Sequence, residues 1–294
     1  MRDPVECSLY AVCMARVCPP HPTPDRGDRP IALDGLSYLP RFLTVEDSDR
    51  LAAFFASLHP LWESRHPAGA AARRGGSSRL TRPVYWLGAW QFAALGYYAP
   101  PGHVRDRCVR AEPLPEVMTM LLDRLRPHLA AHGDLAPPNT CLINYYGSET
   151  PPDGPPVDRA RLRMHRDAEP GAVVMLSIGQ PAQFELLEPH ASTPERSWWV
   201  RHRSVLILSG AEYKDRLYHR VARVRYGQEP VLHTTLPRFA LRRVSVSFRH
   251  VPARDIHDLA DLGGAARAVA LPYIQTLAAH SPHFAAQLTR VSPG

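Results

Sequence analysis

A His-x-Asp triplet, a later strand histidine and an arginine-bearing strand contain the residue types on which chemistry could be built. His165-Arg166-Asp167 sets an imidazole and a carboxylate two residues apart. In extended chain, residues i and i+2 project to the same side, so both can reach a single ion. A two-histidine, one-carboxylate face leaves positions open on Fe(II) for a chelating molecule and oxygen, and it needs one more histidine. His219, within Leu217-Tyr218-His219-Arg220-Val221, is the leading candidate because it falls in a predicted strand late in the same region. Spacing alone leaves His103, His132, His190, His202, His233 and His257 open as well, among fifteen histidines.

From Arg242 to Arg249 the chain alternates, with Arg243, Ser245, Ser247 and Arg249 on one face and Val244, Val246 and Phe248 on the other. An ordinary antiparallel strand would turn that polar face to water. If it lines a cavity instead, the two arginines are separated by about 20 Å of backbone, and long side chains must converge on a ligand between them. A small dicarboxylate meets that demand, because each end can take a charge-assisted arginine contact.

Residues of this kind need a rigid frame, and the texture of the chain supplies one. Thr44 is a natural N-cap for a helix carrying Leu51, Phe54, Phe55 and Leu58 at helical spacing. A second helix fits Pro115 to Leu125. After Asn139, short runs rich in Val, Ile, Leu and aromatics alternate with Pro, Gly and charged turns. The predicted strands are Cys141–Tyr146, Ala172–Ile178, Gln183–Leu187, Trp198–Arg201, Val205–Leu208, Leu217–Val224 and Ala240–His250. Such spacing predicts a sandwich or jelly roll following N-terminal helices, an α+β arrangement. A final helical stretch around Leu259 to Ala279 lies outside the sheet region, and the Pro-rich residues 19–30 read as a flexible lead-in.

Taken in order, Cys141-Leu142-Ile143-Asn144-Tyr145-Tyr146, His165-Arg166-Asp167, Tyr218-His219 and the strand from Arg243 to Arg249 resemble the AlkB family of Fe(II)/2-oxoglutarate-dependent dioxygenases. The likeness spans roughly residues 35 to 250. It implies a double-stranded β-helix (jelly roll) over 31–251; composition and pattern leave a flexible segment over 1–30 before it and a C-terminal helical extension over 252–294 after it. By the same resemblance His165, Asp167 and His219 would hold iron, while Asn144 and Tyr146 would hydrogen-bond 2-oxoglutarate. Arg243 would pair with the distal carboxylate of that co-substrate and Arg249 would steady its chelating end. Ser245 stands where the family's prototype has asparagine, and its hydroxyl offers a donor of shorter reach. Glu169 occupies a position near the substrate where an acid is common in the prototype.

The implied reaction uses O2 and 2-oxoglutarate to hydroxylate a C–H bond, with loss of formaldehyde when the carbon is an N-methyl group on a base. N1-methyladenine and N3-methylcytosine in DNA or RNA are the expected substrates. Tyr85, Trp86 and Trp90 could sandwich an extruded base or pack in a core. Arg79 and Arg82, with Arg73 and Arg74 beside a Gly-Gly-Ser-Ser run, could grip phosphates or line a solvated loop. Two alternatives stand beside this reading: the same chemistry on a protein, lipid or small molecule, and a non-catalytic nucleic-acid-binding module.

Composition narrows the field further. The formal charge is +7, and Lys214 is the single lysine among 35 basic residues, so the cationic surface is an arginine surface suited to phosphates and carboxylates. Five cysteines form no CxxC pair, which argues against a zinc site or a disulfide framework. No apolar run reaches the roughly 18 to 20 residues needed to span a bilayer. The expected setting is intracellular, cytoplasmic or nuclear, away from membranes, with a monomer as the default.

Overall fold

The computed structural model describes residues 26–65, 78–89, 109–133, 136–167, 171–225 and 231–291. Strands in the first part of the chain are β1 (Ile31–Leu33), β2 (Leu36–Leu39), β3 (Ser64–Arg65), β4 (Ser78–Arg79), β5 (Val84–Gly88), β6 (Thr140–Glu149) and β7 (Val157–Asp158). They are followed by β8 (Leu162–His165), β9 (Val173–Gly179), β10 (Ala182–Leu187), β11 (Arg196–Val200), β12 (Ser204–Leu208), β13 (Tyr218–Val224) and β14 (Phe239–Arg249). Four helices accompany them: α1 (Val45–Ser57), α2 (Glu116–Ala131), α3 (Gly264–Ala278) and α4 (Pro282–Val291).

Two antiparallel sheets face each other, as in a jelly roll. The major sheet runs β1-β2-β12-β9-β14-β6-β5, with β7 added to β6; the minor sheet runs β11-β10-β13-β8. Period-two alternation sorts each central strand between two cores. On β14, Val244, Val246 and Phe248 face a helix-covered core, which also takes Ile143 from β6 and Leu51, Phe55, Met118 and Leu121 from α1 and α2. The opposite face of the major sheet meets the minor sheet over Leu36, Tyr38, Phe184, Trp198, Leu206 and Val221. α1 begins as its sequence predicts: Thr44 Oγ1 accepts from the Asp47 amide at 3.0 Å, and Asp47 Oδ2 accepts from the Thr44 amide at 2.9 Å. Arg124 of α2 binds the same Asp47 carboxylate at 2.8 Å, tying the two helices together.

Three irregularities decide what the pocket sees. β14 carries one extra residue against β6, with Leu241 opposite Gly147 but Arg243 opposite Tyr146. The bulge lets Leu241 join the helix-covered core while Arg243, two residues later, turns the other way. Gly179 lies beside it at φ +90°, where a Cβ would sit 2.4 Å from the Arg242 carbonyl oxygen, so only glycine fits. β8 is also bulged: His219 and Val221 of β13 oppose His165 and Leu162, two residues against three. Leu162 and His165 therefore share a face that regular alternation would deny them. Between β10 and β13 the register shifts once more, at Gln183 and Phe184.

Several expectations are revised. The seven predicted strands all form within a few residues, but β1 to β5, β7 and β8 are additional to them, and α2 continues six residues beyond Leu125. His165 closes β8 rather than preceding a strand, and Asp167 follows in irregular chain. Residues 1–25 lie outside the described residues, yet the last part of the supposed lead-in is pinned: the Arg26 carbonyl accepts from Arg201 Nε at 2.7 Å, and Tyr38 donates to the Gly27 carbonyl at 3.1 Å. The C-terminal stretch does fold as helices, and it shares the main core, burying Ala270, Ile274, Leu277 and Phe284 against it. None of the described helices is long and apolar enough to cross a membrane.

Candidate active site

A pocket of about 470 Å³, counted to its mouth, opens between the two sheets. Its floor is a lattice of three paired strands. Asn144 of β6, Ser245 of β14 and Ser177 of β9 form one row, Leu142, Ser247 and Met175 the next, and Arg243 pairs with Tyr146 at one end. The minor sheet closes the other side with Phe184, Val200, His219, Val221, Leu162 and His165. The polar face of β14 does not meet water: Arg243, Ser245, Ser247 and Arg249 are all buried and all line this pocket.

Cross-strand pairing of β13 with β8 sets His219 opposite His165, and Asp167 follows two residues on. The three offer ligand atoms within 4.8 Å of one another. His219 Nε2 lies 3.5 Å from Asp167 Oδ2, and the two imidazoles approach at 4.2 Å between centroids. Burial pushes the His219 imidazole down to about 3, helped by the neighbouring His165, and burial likewise lowers His165. Both rings are thus neutral at physiological pH, the form that donates a lone pair to a metal. His165 Nδ1 lies 2.9 Å from the Arg163 carbonyl and, as the donor, leaves Nε2 free for ligation. Burial alone would raise the Asp167 carboxyl, but Arg249, His219 and His165 hold it well below the ordinary range. Arg249 does so directly, through Nε at 3.1 Å and Nη2 at 2.5 Å from Oδ1.

At the opposite end Arg243 is 3% exposed. Its guanidinium donates to Ser177 Oγ at 2.6 Å and to the Gln180 and Val200 carbonyls, and no carboxylate among the described residues pairs with it. Burial without a counter-charge pulls it down to about 10. Such a cation is costly unless an anion enters beside it.

One comparison decides what this arrangement is. The family model for the 2OG-Fe(II) oxygenase superfamily matches residues 35–249. The chain belongs to that superfamily. Among solved structures, OsALKBH1 is similar in fold, with a TM-score of 0.50 and 18% identity over 75% of this chain and all of that one. An oxidoreductase of the 2OG-Fe(II) oxygenase family from Burkholderia pseudomallei aligns at 19% identity over 76% of this chain and 89% of its own, with a TM-score of 0.44. No curated protein matches the sequence. Membership implies Fe(II), 2-oxoglutarate and O2, and the donor set fits. Iron would be held by His165, Asp167 and His219, all gathered at one end of the oxygenase pocket. His219 Nδ1 is buried without a partner among the described residues, so the protein itself does not complete that ring's bonding. A dicarboxylate would supply the anion that Arg243 lacks.

Other expected residues fall elsewhere. Trp90 and Glu169 lie outside the described residues, as do Arg73 and Arg74. Tyr85 and Trp86 are not at the pocket: at 6% and 1% exposure they belong to the helix-covered core. Their polar atoms are satisfied there, Tyr85 by Glu112 at 2.5 Å and Trp86 by Glu63 at 2.9 Å, so neither is placed to stack on a base. Arg79 binds Glu149 and covers the Trp62 ring at 4.0 Å. Arg82, expected on a loop that grips phosphates or meets solvent, is instead buried and lines the pocket. Ser177 was not singled out, although alternation on β9 from Met175 places it inward.

Proposed function

We propose that this oxygenase removes N-methyl groups from alkylated nucleic-acid bases, N1-methyladenine and N3-methylcytosine foremost, releasing formaldehyde, succinate and CO2. The observation that carries the reading is the outer face of the minor sheet. Arg223 lies 5.4 Å over the Trp199 ring and Arg166 lies 4.6 Å over Tyr218, while Arg220 binds the buried Glu185 at 2.6 Å. Arg166 and Arg223 are exposed. Arginines held on aromatic rings keep their planar faces oriented while leaving N–H groups for phosphate oxygens. Arg166 and Arg220 immediately adjoin metal-ligand positions in sequence, so a backbone tracked here passes close to the pocket.

When bound, Fe(II) and 2-oxoglutarate supply the oxidant from O2, the oxo acid leaving as succinate and CO2. The chain's own part is positional. Arg243 and the β14 serines orient the co-substrate, neutral His165 and His219 with ionised Asp167 fix the metal end, and apolar Leu162, Phe184 and Val221 keep bulk water from the reacting carbon.

Mass spectrometry tests the reading directly. Methylated DNA and RNA oligonucleotides, single and double stranded, are incubated with Fe(II), ascorbate and 2-oxoglutarate beside a His165→Ala control. Methyl loss with the wild type alone is expected, and Arg166→Ala and Arg223→Ala should each reduce the slope of log affinity against log salt by about one. Succinate formation with every oligonucleotide unchanged would sink the nucleic-acid assignment and leave the oxygenase intact.

A further inference from the structure

Arg82 sits in the short link between β4 and β5 and is 4% exposed, with its guanidinium in the pocket wall. Its Nε donates to Asn144 Oδ1 at 2.7 Å, and the group lies 5.5 Å over the Tyr146 ring. This contact fixes more than a distance. An arginine has donors only, whereas a carboxamide presents an acceptor at one end and a donor at the other. Facing Arg82, the Asn144 amide can take one orientation without setting donor against donor. Oδ1 is committed to the arginine and Nδ2 is turned elsewhere, with no acceptor among the described residues. The Nη groups of Arg82 also make no hydrogen bond to a described residue.

The pocket therefore has two cationic ends with different commitments. Arg243 is held by Ser177 and two carbonyls, and Arg249 by Asp167. Asn144 Nδ2 and the Arg82 Nη groups are donors without a described partner in the stretch of pocket wall between Arg243 and the metal ligands. We infer that Arg82 is a positioning residue for the co-substrate: it locks the Asn144 amide and, with it, forms the donor pair for the 2-oxoglutarate carboxylate nearest the metal ligands, leaving the distal carboxylate to Arg243. The inference needs only the co-substrate that superfamily membership implies and is independent of the nucleic-acid reading.

Calorimetric titration of 2-oxoglutarate into the full-length protein loaded with Mn(II), without turnover, tests it. Arg82→Met, Asn144→Ala and their combination form a double-mutant cycle, with Arg243→Met as a control for the distal end. Each single variant is expected to weaken binding about ten- to a hundredfold, the range of a hydrogen bond to a charged group. The combination should weaken it by clearly less than the product of the two, because Arg82 acts through Asn144. A structural defect alone would not make two losses overlap in this way. If Arg82→Met does not melt cooperatively, Arg82→Lys, which keeps the charge and N–H donors but not the planar fork, runs the same cycle with a smaller loss. Wild-type affinity in the Arg82 variant that folds, or fully multiplicative losses, overturns the inference. So does a variant that binds 2-oxoglutarate normally and loses only oligonucleotide affinity, since Arg82 would then serve the primary substrate.

Discussion

Buried charge decides most of what single side chains do in this protein. Asp167 stays ionised because the Arg249 guanidinium pairs with it, whereas Arg243 has hydroxyl and carbonyl acceptors but no carboxylate to pair with among the described residues. Glu63 is the contrary case. Burial pushes its carboxyl up from 4.5 to about 8, against the opposing pull of the Trp86 hydrogen bond and of Arg82. Folded protein then holds more protons than unfolded chain between those two values. Its contribution to stability is full below about pH 4.5 and is lost as pH rises toward about 8. Within that window each pH unit costs up to about 1.4 kcal/mol. Glu63→Gln should flatten the pH dependence of the urea midpoint between about pH 5 and 8; an unchanged slope would show that Glu63 does not set it.

Among the elements, the bulged strands do more for the site than the regular ones. β14 alternates without fault from Arg243 onward, but the extra residue at Arg242 determines which face those four polar residues take. Gly179 makes room for that bulge, its missing side chain lying against the Arg242 carbonyl. Gly179→Ala would force both a left-handed backbone on a residue with a Cβ and a clash of 2.4 Å. The expected cost is on the order of 1–3 kcal/mol. Because Arg243 is the adjoining residue, affinity for 2-oxoglutarate should fall along with the urea midpoint. A stability loss with unchanged 2-oxoglutarate affinity would show that the bulge does not aim Arg243.

Taken whole, the molecule has three layers, helices on the major sheet and the major sheet on the minor, with the reaction space between the sheets. The helical layer is assembled from both ends of the chain. Phe284 of α4 is fully buried in the same cluster as Phe248 and Val246 of β14, the strand whose other face carries the arginines. Phe284→Ala is therefore expected to destabilise the catalytic fold by about 3–5 kcal/mol. Urea denaturation followed by tryptophan fluorescence reads this, and a midpoint equal to wild type would show that the C-terminal helices are not part of the cooperative unit.

The order of blocks in the sequence was enough for the chemistry. His165, Asp167 and His219, the Asn144-x-Tyr146 strand and the alternation from Arg243 to Arg249 are local patterns, and local patterns survive in a linear string because period two fixes which residues share a face. The seven strands after Asn139 were legible for the same reason. Tyr85 and Trp86 were not: an aromatic run reads alike whether it lines a pocket or a core, and only their burial in the core cluster, with Tyr85 bonded to Glu112 and Trp86 to Glu63, settled that they pack. Nor could the sequence place Arg82 against Asn144, 62 residues away, or reveal the bulge that puts Leu162 and His165 on one side of β8. Contacts between distant residues and shifts of register depend on how strands are set beside one another, which is the part of the site that tertiary structure alone decided.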